Sequence, residues 1–399
     1  MWTLLVKYNK IHPYEDMDVI CERALLNPVG QSSGLGSIAS ARIVTAPHAT
    51  RCSQKIANLQ ALSTSIGRLQ SEVTCILSSP LQRKAGVRAA RPGHKWVLCL
   101  DDDIELHPRS LADLVAAAEA DPAAFMATGY PLDIPPPGAG LLTYAVLVYH
   151  LPLLIGFSLR ARAAFVWGGC MLLPLAHLRA DTYGIMAAWE HGGYSDDLIV
   201  AAQCNRHGLR ILCPAFALFP QWLDGTYSPT RYWNYLRRQL YVMDTYACAA
   251  ARRTNHAMLA LHACLSWAFV APAVLAALQS FVAAGWLLQG SKAGSYLEGG
   301  CARANAALAV YAAACAVAHC ALVWMTSVVL ELFAALSPGA PALRARDFTW
   351  PRLWVGFLLN NAALPVAAVA TLALPGVVWS GVRYRKRGGR VVRVERLAA

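Results

Sequence analysis

Three consecutive carboxylates, Asp101-Asp102-Asp103, follow the apolar run Trp96-Val97-Leu98-Cys99-Leu100. Such a run reads as a buried strand, so the triplet falls where the strand ends. Adjacent carboxylates repel one another, and a divalent cation bridging diphosphate oxygens offsets the repulsion. A competing reading is a solvated acidic turn that opens the helix expected over Pro108 to Ala120. A second acidic pair closes Gly192-Gly193-Tyr194-Ser195-Asp196-Asp197. There two glycines allow a tight turn, and the carboxylates precede an apolar helix over Leu198 to Cys204. One carboxylate can act as a general base near a metal; alternatively, Asp196 only caps the helix. A third segment, Arg231-Tyr232-Trp233-Asn234-Tyr235-Leu236-Arg237-Arg238-Gln239, crowds aromatics and three arginines into one helix. Arginine forks suit a diphosphate, aromatics suit an apolar acceptor, and both suit a basic collar at a lipid surface.

The elements that must position these groups alternate. Ala41-Arg42-Ile43-Val44 reads as a strand, Gln54 to Leu59 opens a helix, and Trp96 to Leu100 is a strand. Pro108 to Ala120 is a helix and Ala124 to Tyr130 a further strand. Alternation of this kind implies an α/β sheet with its site at the carboxyl ends of the strands. Residues 1 to 40 are weakly patterned around the Gly/Ser-rich loop 30–37, and Met1 to Lys7 is too short for a signal peptide or a span. Leu141 to Phe157 is apolar but broken by His150 and Pro152, which favours an interfacial helix with a groove for lipid, the alternative being a core helix.

Of the 399 residues, 56% are hydrophobic and 15% charged, which implies a soluble domain joined to membrane spans. The net charge of +12 gathers beside apolar segments, above all in Arg383-Tyr384-Arg385-Lys386-Arg387, and forms no stripe with exposed aromatics. Anionic lipid and a nucleotide diphosphate are therefore better partners than nucleic acid. Twelve cysteines lie singly, without a Cys-x-x-Cys pair, and read as mostly reduced and structural; Cys170 and Cys52 are candidates to line a site, with small buried packing residues the favoured reading. Apolar stretches run over about 257–288, 306–336 and 353–379, each long enough to span, the first broken by Pro272. Arg252-Arg253 before the first and the basic tail after the last put both ends on the cytosolic side, which calls for an even number of crossings.

In order and spacing, these segments resemble ceramide glucosyltransferase, particularly its plant and algal form. The resemblance is carried by Ala41-Arg42-Ile43-Val44, Cys52-Ser53-Gln54-Lys55-Ile56, Leu100-Asp101-Asp102-Asp103, Thr128-Gly129-Tyr130-Pro131-Leu132-Asp133, Trp167-Gly168-Gly169-Cys170-Met171, the Gly192 to Asp197 segment, Arg231 to Arg237, and Trp379-Ser380-Gly381 with Arg383-Tyr384. It covers nearly everything from about residue 41 to the end.

The resemblance implies a nucleotide-diphosphosugar transferase (GT-A type) α/β domain followed by an all-α transmembrane region. The domain would occupy residues 41–255, the membrane helices 256–382 and a basic cytosolic tail 383–399. The family's membrane anchor and first half of the nucleotide fold have no counterpart in residues 1 to 40, so the domain reads as N-terminally incomplete. The implied reaction moves glucose from UDP-glucose to the primary hydroxyl of ceramide with inversion, in a Golgi or endoplasmic reticulum membrane with the catalytic domain facing the cytosol. Asp101 and Asp103 would hold Mg or Mn, and Lys55, Asp101, Asp102 and Arg237 would bind the donor. Asp197 would be the base, and Trp167, Gly168, Gly169, Asp196, Asn234 and Arg238 would line the acceptor side. The family's Gln/Arg-x-x-Arg-Trp motif falls on Asn234 to Arg238, with Asn234 and Arg238 departing from it. Two rivals are a processive polysaccharide synthase and an inactive lipid-binding relative.

Overall fold

The computed structural model describes residues 95–397 apart from 102–103, 105, 159–161, 192, 289–293, 339–342 and 380, together with three short strands nearer the start. Lys55, Asp102, Asp103 and Gly192 lie outside the described residues. The first strands are β1 (Thr3–Leu5), β2 (Ser40–Ala41), β3 (Val73–Leu77) and β4 (Trp96–Leu100). After them come β5 (Ala124–Thr128), β6 (Tyr130–Ile134), β7 (Arg162–Ala163), β8 (Cys170–Pro174) and β9 (Arg210–Leu212). All but β6 form one eight-stranded sheet in the order β2-β1-β3-β4-β8-β5-β9-β7.

Strands β2, β1, β3 and β4 run parallel, so their carboxyl ends share one edge. The chain places β2 on one side of β1 and β3 on the other, which creates a switch point of the kind where α/β sheets bind ligands. Residues 1 to 40, weakly patterned in sequence, include β1 and the start of β2. The pairing of β1 with distant β3 is invisible to a local reading.

Strand β4 is apolar at every position because both of its faces are covered. Val97 and Cys99 join a cluster with Met171, Leu173, Trp189, Ile199 and Cys204; Leu98 and Leu100 face the other way, toward Leu114, Leu172 and Phe219. Leu114 belongs to α1 (Ser110–Ala120), and the opposite face is covered by α3 (Leu175–Arg179), α4 (Ile185–Glu190) and α5 (Asp196–Arg206), α2 being described below. Each large apolar side chain buried this way contributes about 1.5–3 kcal/mol.

The strand expected over Ala124 to Tyr130 is broken at Gly129. A Cβ there would sit 2.6 Å from the Phe219 ring and 2.8 Å from the Ala217 carbonyl, so only glycine lets the chain turn past that point. Beyond it, β6 leaves the main sheet and pairs in parallel with β10 (Leu218–Trp222). Against this pair packs α2 (Leu141–Ser158), whose Thr143–Val148 stretch is buried. Tyr144, Leu147 and Val148 face β6, while Ala145 and Val146 face α6 (Pro229–Met243) and α9 (Trp350–Ala373). Over its described side chains α2 is thus the core helix, and the expected interfacial helix with an open groove is corrected. His150, which broke the apolar run, donates from Nδ1 to the Asp133 carboxylate (2.7 Å), and its Nε2 accepts from the Tyr235 hydroxyl (3.1 Å), inside the fold.

Among the described residues, three helices are long and apolar enough to cross a membrane: α7 (Ala249–Leu288), α8 (Gly294–Leu336) and α9. Pro272 does not divide α7, which stays one helix of 40 residues. Phe281, Val317 and Trp324 are 70–78% exposed, an apolar surface that suits lipid. The first turns of α7 sit on α6 through Leu259, and the end of α8 returns to β6 and α2 through Val329, Leu330 and Phe333. Helix α9 stays against α2, close enough at Gly356 that a Cβ would lie 2.9 Å from the Ala145 nitrogen.

The basic segment expected as a tail is folded: β11 (Gly376–Trp379), β12 (Val382–Arg387) and β13 (Arg390–Arg396) form an antiparallel sheet. Val382, Tyr384 and Lys386 alternate inward while Arg385 and Arg387 point out, and Gly388-Gly389, both at positive φ, turn the hairpin. Lys386 is buried against the Tyr241 ring (4.5 Å), donates to the Thr371 carbonyl (3.1 Å) and pairs with Asp244. Burial lowers its pKa, against the opposing pull of Asp244. Replacing Lys386 with Met would leave Asp244 partly buried beside His256 alone, a loss of about 3 kcal/mol. The thermal-unfolding midpoint of the detergent-solubilised chain is expected to fall; an unchanged midpoint would show that strand pairing alone holds this sheet.

Candidate functional site

Four stretches remote in sequence meet at the carboxyl edge of the sheet. Strand β4 ends at Asp101, whose amide donates to the Gly169 carbonyl (3.1 Å). That bond continues the antiparallel pairing of β4 with β8, in which Leu100 lies opposite Cys170. The Trp167-Gly168-Gly169 loop is therefore held beside the acidic strand end by the sheet's own register.

Thr128 fastens the same loop from β5: its Oγ1 accepts from the Trp167 amide (3.0 Å) and donates to the Cys170 carbonyl (2.9 Å). The Trp167 indole folds over Gly169, where a Cβ would lie 2.3 Å from Cζ2, and stacks at 6.4 Å on Phe219. At Gly168 a Cβ would come within 3.0 Å of Asp197 Oδ2 and 3.4 Å of Asp196 Oδ1. The two glycines thus give the backbone room between an indole and two carboxylates.

Both carboxylates stand on the first turn of α5, with Ser195 as the N-cap accepting from the Leu198 amide (3.3 Å). Capping therefore falls to Ser195, and Asp196 is not the cap. Asp197 is partly exposed; its Oδ1 accepts from the Leu198 amide (2.7 Å) and from the Ser195 hydroxyl, and its Oδ2 from the Gly168 amide (3.1 Å). These donors fix the orientation of the carboxylate. Asp196 is buried, and the Trp189 indole N–H donates to its carbonyl (3.1 Å).

The fourth contribution comes from α6, capped by Ser228 with Pro229 in its first turn. Its buried face carries Tyr232, Tyr235, Leu236, Leu240 and Tyr241, which leaves the arginines on the flank. Arg237, expected on the donor, donates to the Gly376 carbonyl of β11 (2.6 Å) and fastens the C-terminal sheet. The guanidinium that comes under the influence of Asp101 is Arg238, expected on the acceptor side. Arg238 lies 4.3 Å over the Trp379 ring and donates to the Tyr194 hydroxyl. Burial works to lower its pKa, but Tyr194, Tyr235 and Asp101 outweigh this and raise it, so the charge is fixed. Asn234 lies one turn earlier on the same flank, partly buried.

The sequence reading missed Trp379 and Tyr194 as the cradle of Arg238. Both stood inside recognised segments, but a cation–π pair spanning the chain carries no local signal. Among the described residues no group of three His, Cys, Asp or Glu side chains is placed to hold a metal. Asp101 is one hard oxygen donor at the strand end, the type that Mg and Mn favour; Asp103 lies outside the described residues.

Gly169→Ala would drive a methyl group into the Trp167 ring, with an expected loss of about 1–3 kcal/mol. Adding Trp167→Ala should recover most of that loss. Thermal melts of the two single variants and the double variant check the coupling, and strictly additive losses would contradict the packing described.

No protein-family model and no curated protein matches this chain, so its function is argued from the site geometry and the sequence signatures together.

Proposed function

We propose that this protein transfers glucose from UDP-glucose to the primary hydroxyl of ceramide, with inversion at the anomeric carbon. One observation carries the reading: Asp101, the Gly168-Gly169 loop, Asp197 and Arg238 converge at the edge where parallel strands end. Helix α6, which carries Arg238, packs against Leu259 of α7 and Ala367 and Ala368 of α9, two helices suited to lipid, and this favours a site where a soluble sugar donor and a bilayer acceptor meet. The protein would reside in the Golgi or endoplasmic reticulum membrane with its α/β part facing the cytosol.

In this reading Asp197 Oδ takes the proton of the ceramide hydroxyl as that oxygen attacks the anomeric carbon. The bond to the diphosphate breaks on the opposite face, and UDP leaves with the electron pair. Asp197 rather than Asp196 suits the base because it is partly exposed, while Asp196 is buried. The Gly168 amide and the Ser195 hydroxyl aim the carboxylate.

Arg238 would stabilise the departing diphosphate. Its Nε–H is buried and has no hydrogen-bond partner among the described residues, and a phosphate oxygen would supply one. Asp101, with Asp103, would hold a Mg or Mn ion, whose chemistry when bound is to offset the leaving group's negative charge. Trp167 and Asn234 remain candidates for the acceptor side. Helices α7 and α8 would form the membrane hairpin and α9 would lie against the domain. An even number of crossings would then keep Arg252-Arg253 and the basic sheet on one side, a reading supported by the Tyr246 amide to Gly389 carbonyl bond (2.9 Å) between their flanks.

Membranes carrying the chain, radiolabelled UDP-glucose, ceramide and Mg or Mn should yield labelled glucosylceramide on chromatography of the lipid extract. Asp197→Asn should lower the rate by about 10²–10⁴-fold, the range for loss of a general base, with UDP binding nearly intact. Full transfer by that variant would remove Asp197 from the role, and labelled polymer formed without lipid would replace ceramide as acceptor.

A further inference from the structure

Behind the acidic pair lies a cavity of about 490 Å³ that the proposed reaction does not use. It is bounded by the end of α5, the turn before α4, the link from α6 to α7, and the tip of the C-terminal hairpin. Its volume is that of a small-molecule site.

The charge of its lining has one sign. Among the described residues, Arg206, Arg390, His191 and His207 contribute to its walls, and no carboxylate does. Asp181 stands close by in the chain, but its two oxygens accept from the Met186 and Ala187 amides (2.7 and 2.9 Å). Among the described residues neither Arg206 nor Arg390 is paired with an acid, while Arg231, Arg210 and Arg109 are. Gln203 also lines the cavity; it is 9% exposed, and its Oε1 is buried with no hydrogen-bond partner among the described residues. Uncompensated basic groups at the rim and an unsatisfied amide within are the complement of a ligand that is anionic and carries hydroxyl groups.

The hairpin is fitted to this place. Gly389, at φ 77, presses on Tyr246 so closely that a Cβ would lie 2.4 Å from the ring. The Tyr246 amide donates to the Gly389 carbonyl (2.9 Å). Arg390 is thereby held over a cavity whose opposite wall includes Gly193 and Tyr194. Those residues lead directly into Ser195-Asp196-Asp197, and Tyr194 is the hydrogen-bond partner of Arg238.

We infer that this cavity is a second ligand site, which binds a phosphate ester on a hydroxylated body. A soluble phosphate ester and the head group of a membrane phospholipid share this chemistry. Cys248 in the cavity wall directly precedes the apolar helix α7, so a head group is a candidate beside a soluble ester.

Cys248 provides a local readout. In the purified full chain, the rate of maleimide attachment to Cys248, read by peptide mass spectrometry, should fall several-fold on occupancy. The soluble probes are inorganic phosphate and inositol 1-phosphate; the membrane probe is a phosphatidylinositol nanodisc compared with phosphatidylcholine alone. Protection by the soluble probes assigns a free ligand, and protection only in phosphatidylinositol nanodiscs assigns a head group. In either case Arg206→Gln with Arg390→Gln should raise the concentration or lipid fraction for half-protection at least tenfold. Gln203→Leu, which touches no strand, should weaken protection in the same direction if the double variant misfolds. Asp101→Asn should leave protection unchanged, so the outcome does not depend on the transferase reading. Absence of protection by every probe, or protection equal in all variants, overturns the site.

Discussion

A fixed positive charge has to be kept beside carboxylates at a place that is partly out of water, and much of the architecture serves that requirement. Arg238 is held between the Trp379 ring and the Tyr194 hydroxyl, within the influence of Asp101. A cation desolvated without such partners would carry a penalty of several kcal/mol. Each partner comes from a different part of the chain: β11 supplies Trp379, the loop before α5 supplies Tyr194, and β4 supplies Asp101. The C-terminal sheet, the acidic loop and the central sheet are consequently tied together through one side chain. Arg237, its neighbour, turns to the Gly376 carbonyl and holds β11 in place.

The same logic extends to the apolar helices. Over its described side chains helix α2 serves two cores, one under β6 and one under α6 and α9. Its single imidazole, His150, is met by Asp133 and Tyr235, so a polar group that interrupts an apolar run is satisfied inside the protein. Close helix contact at Gly356 and the buried Lys386–Asp244 pair join the helical region to the α/β domain.

Much of this was legible in the residues, and what was not has physical causes. Trp96 to Leu100 declared itself a buried strand because every position is apolar, and the acidic ends followed from its length. Ser195-Asp196-Asp197 announced a helix start, although which residue caps it depended on side-chain geometry. Arg237 turns to the Gly376 carbonyl while Arg238 comes under the influence of Asp101, a division the residues alone do not display. Adjacent arginines on a helix point about 100° apart, and only the position of β11 decides which faces the sheet edge. The C-terminal hairpin was read as a basic tail because charge was weighed over the alternation Val382, Tyr384, Lys386 and the Gly388-Gly389 turn, both of which were present. Strand β1 was missed because its partner lies about seventy residues away.

Isothermal titration of the purified full chain with UDP, in the presence and absence of Mn, tests the central claim most directly. Saturable, Mn-dependent binding that weakens at least tenfold in Asp101→Asn, about 1.4 kcal/mol, is the result expected if the strand end and Arg238 form the diphosphate site. UDP binding that is absent, or equally tight in Asp101→Asn, would contradict it.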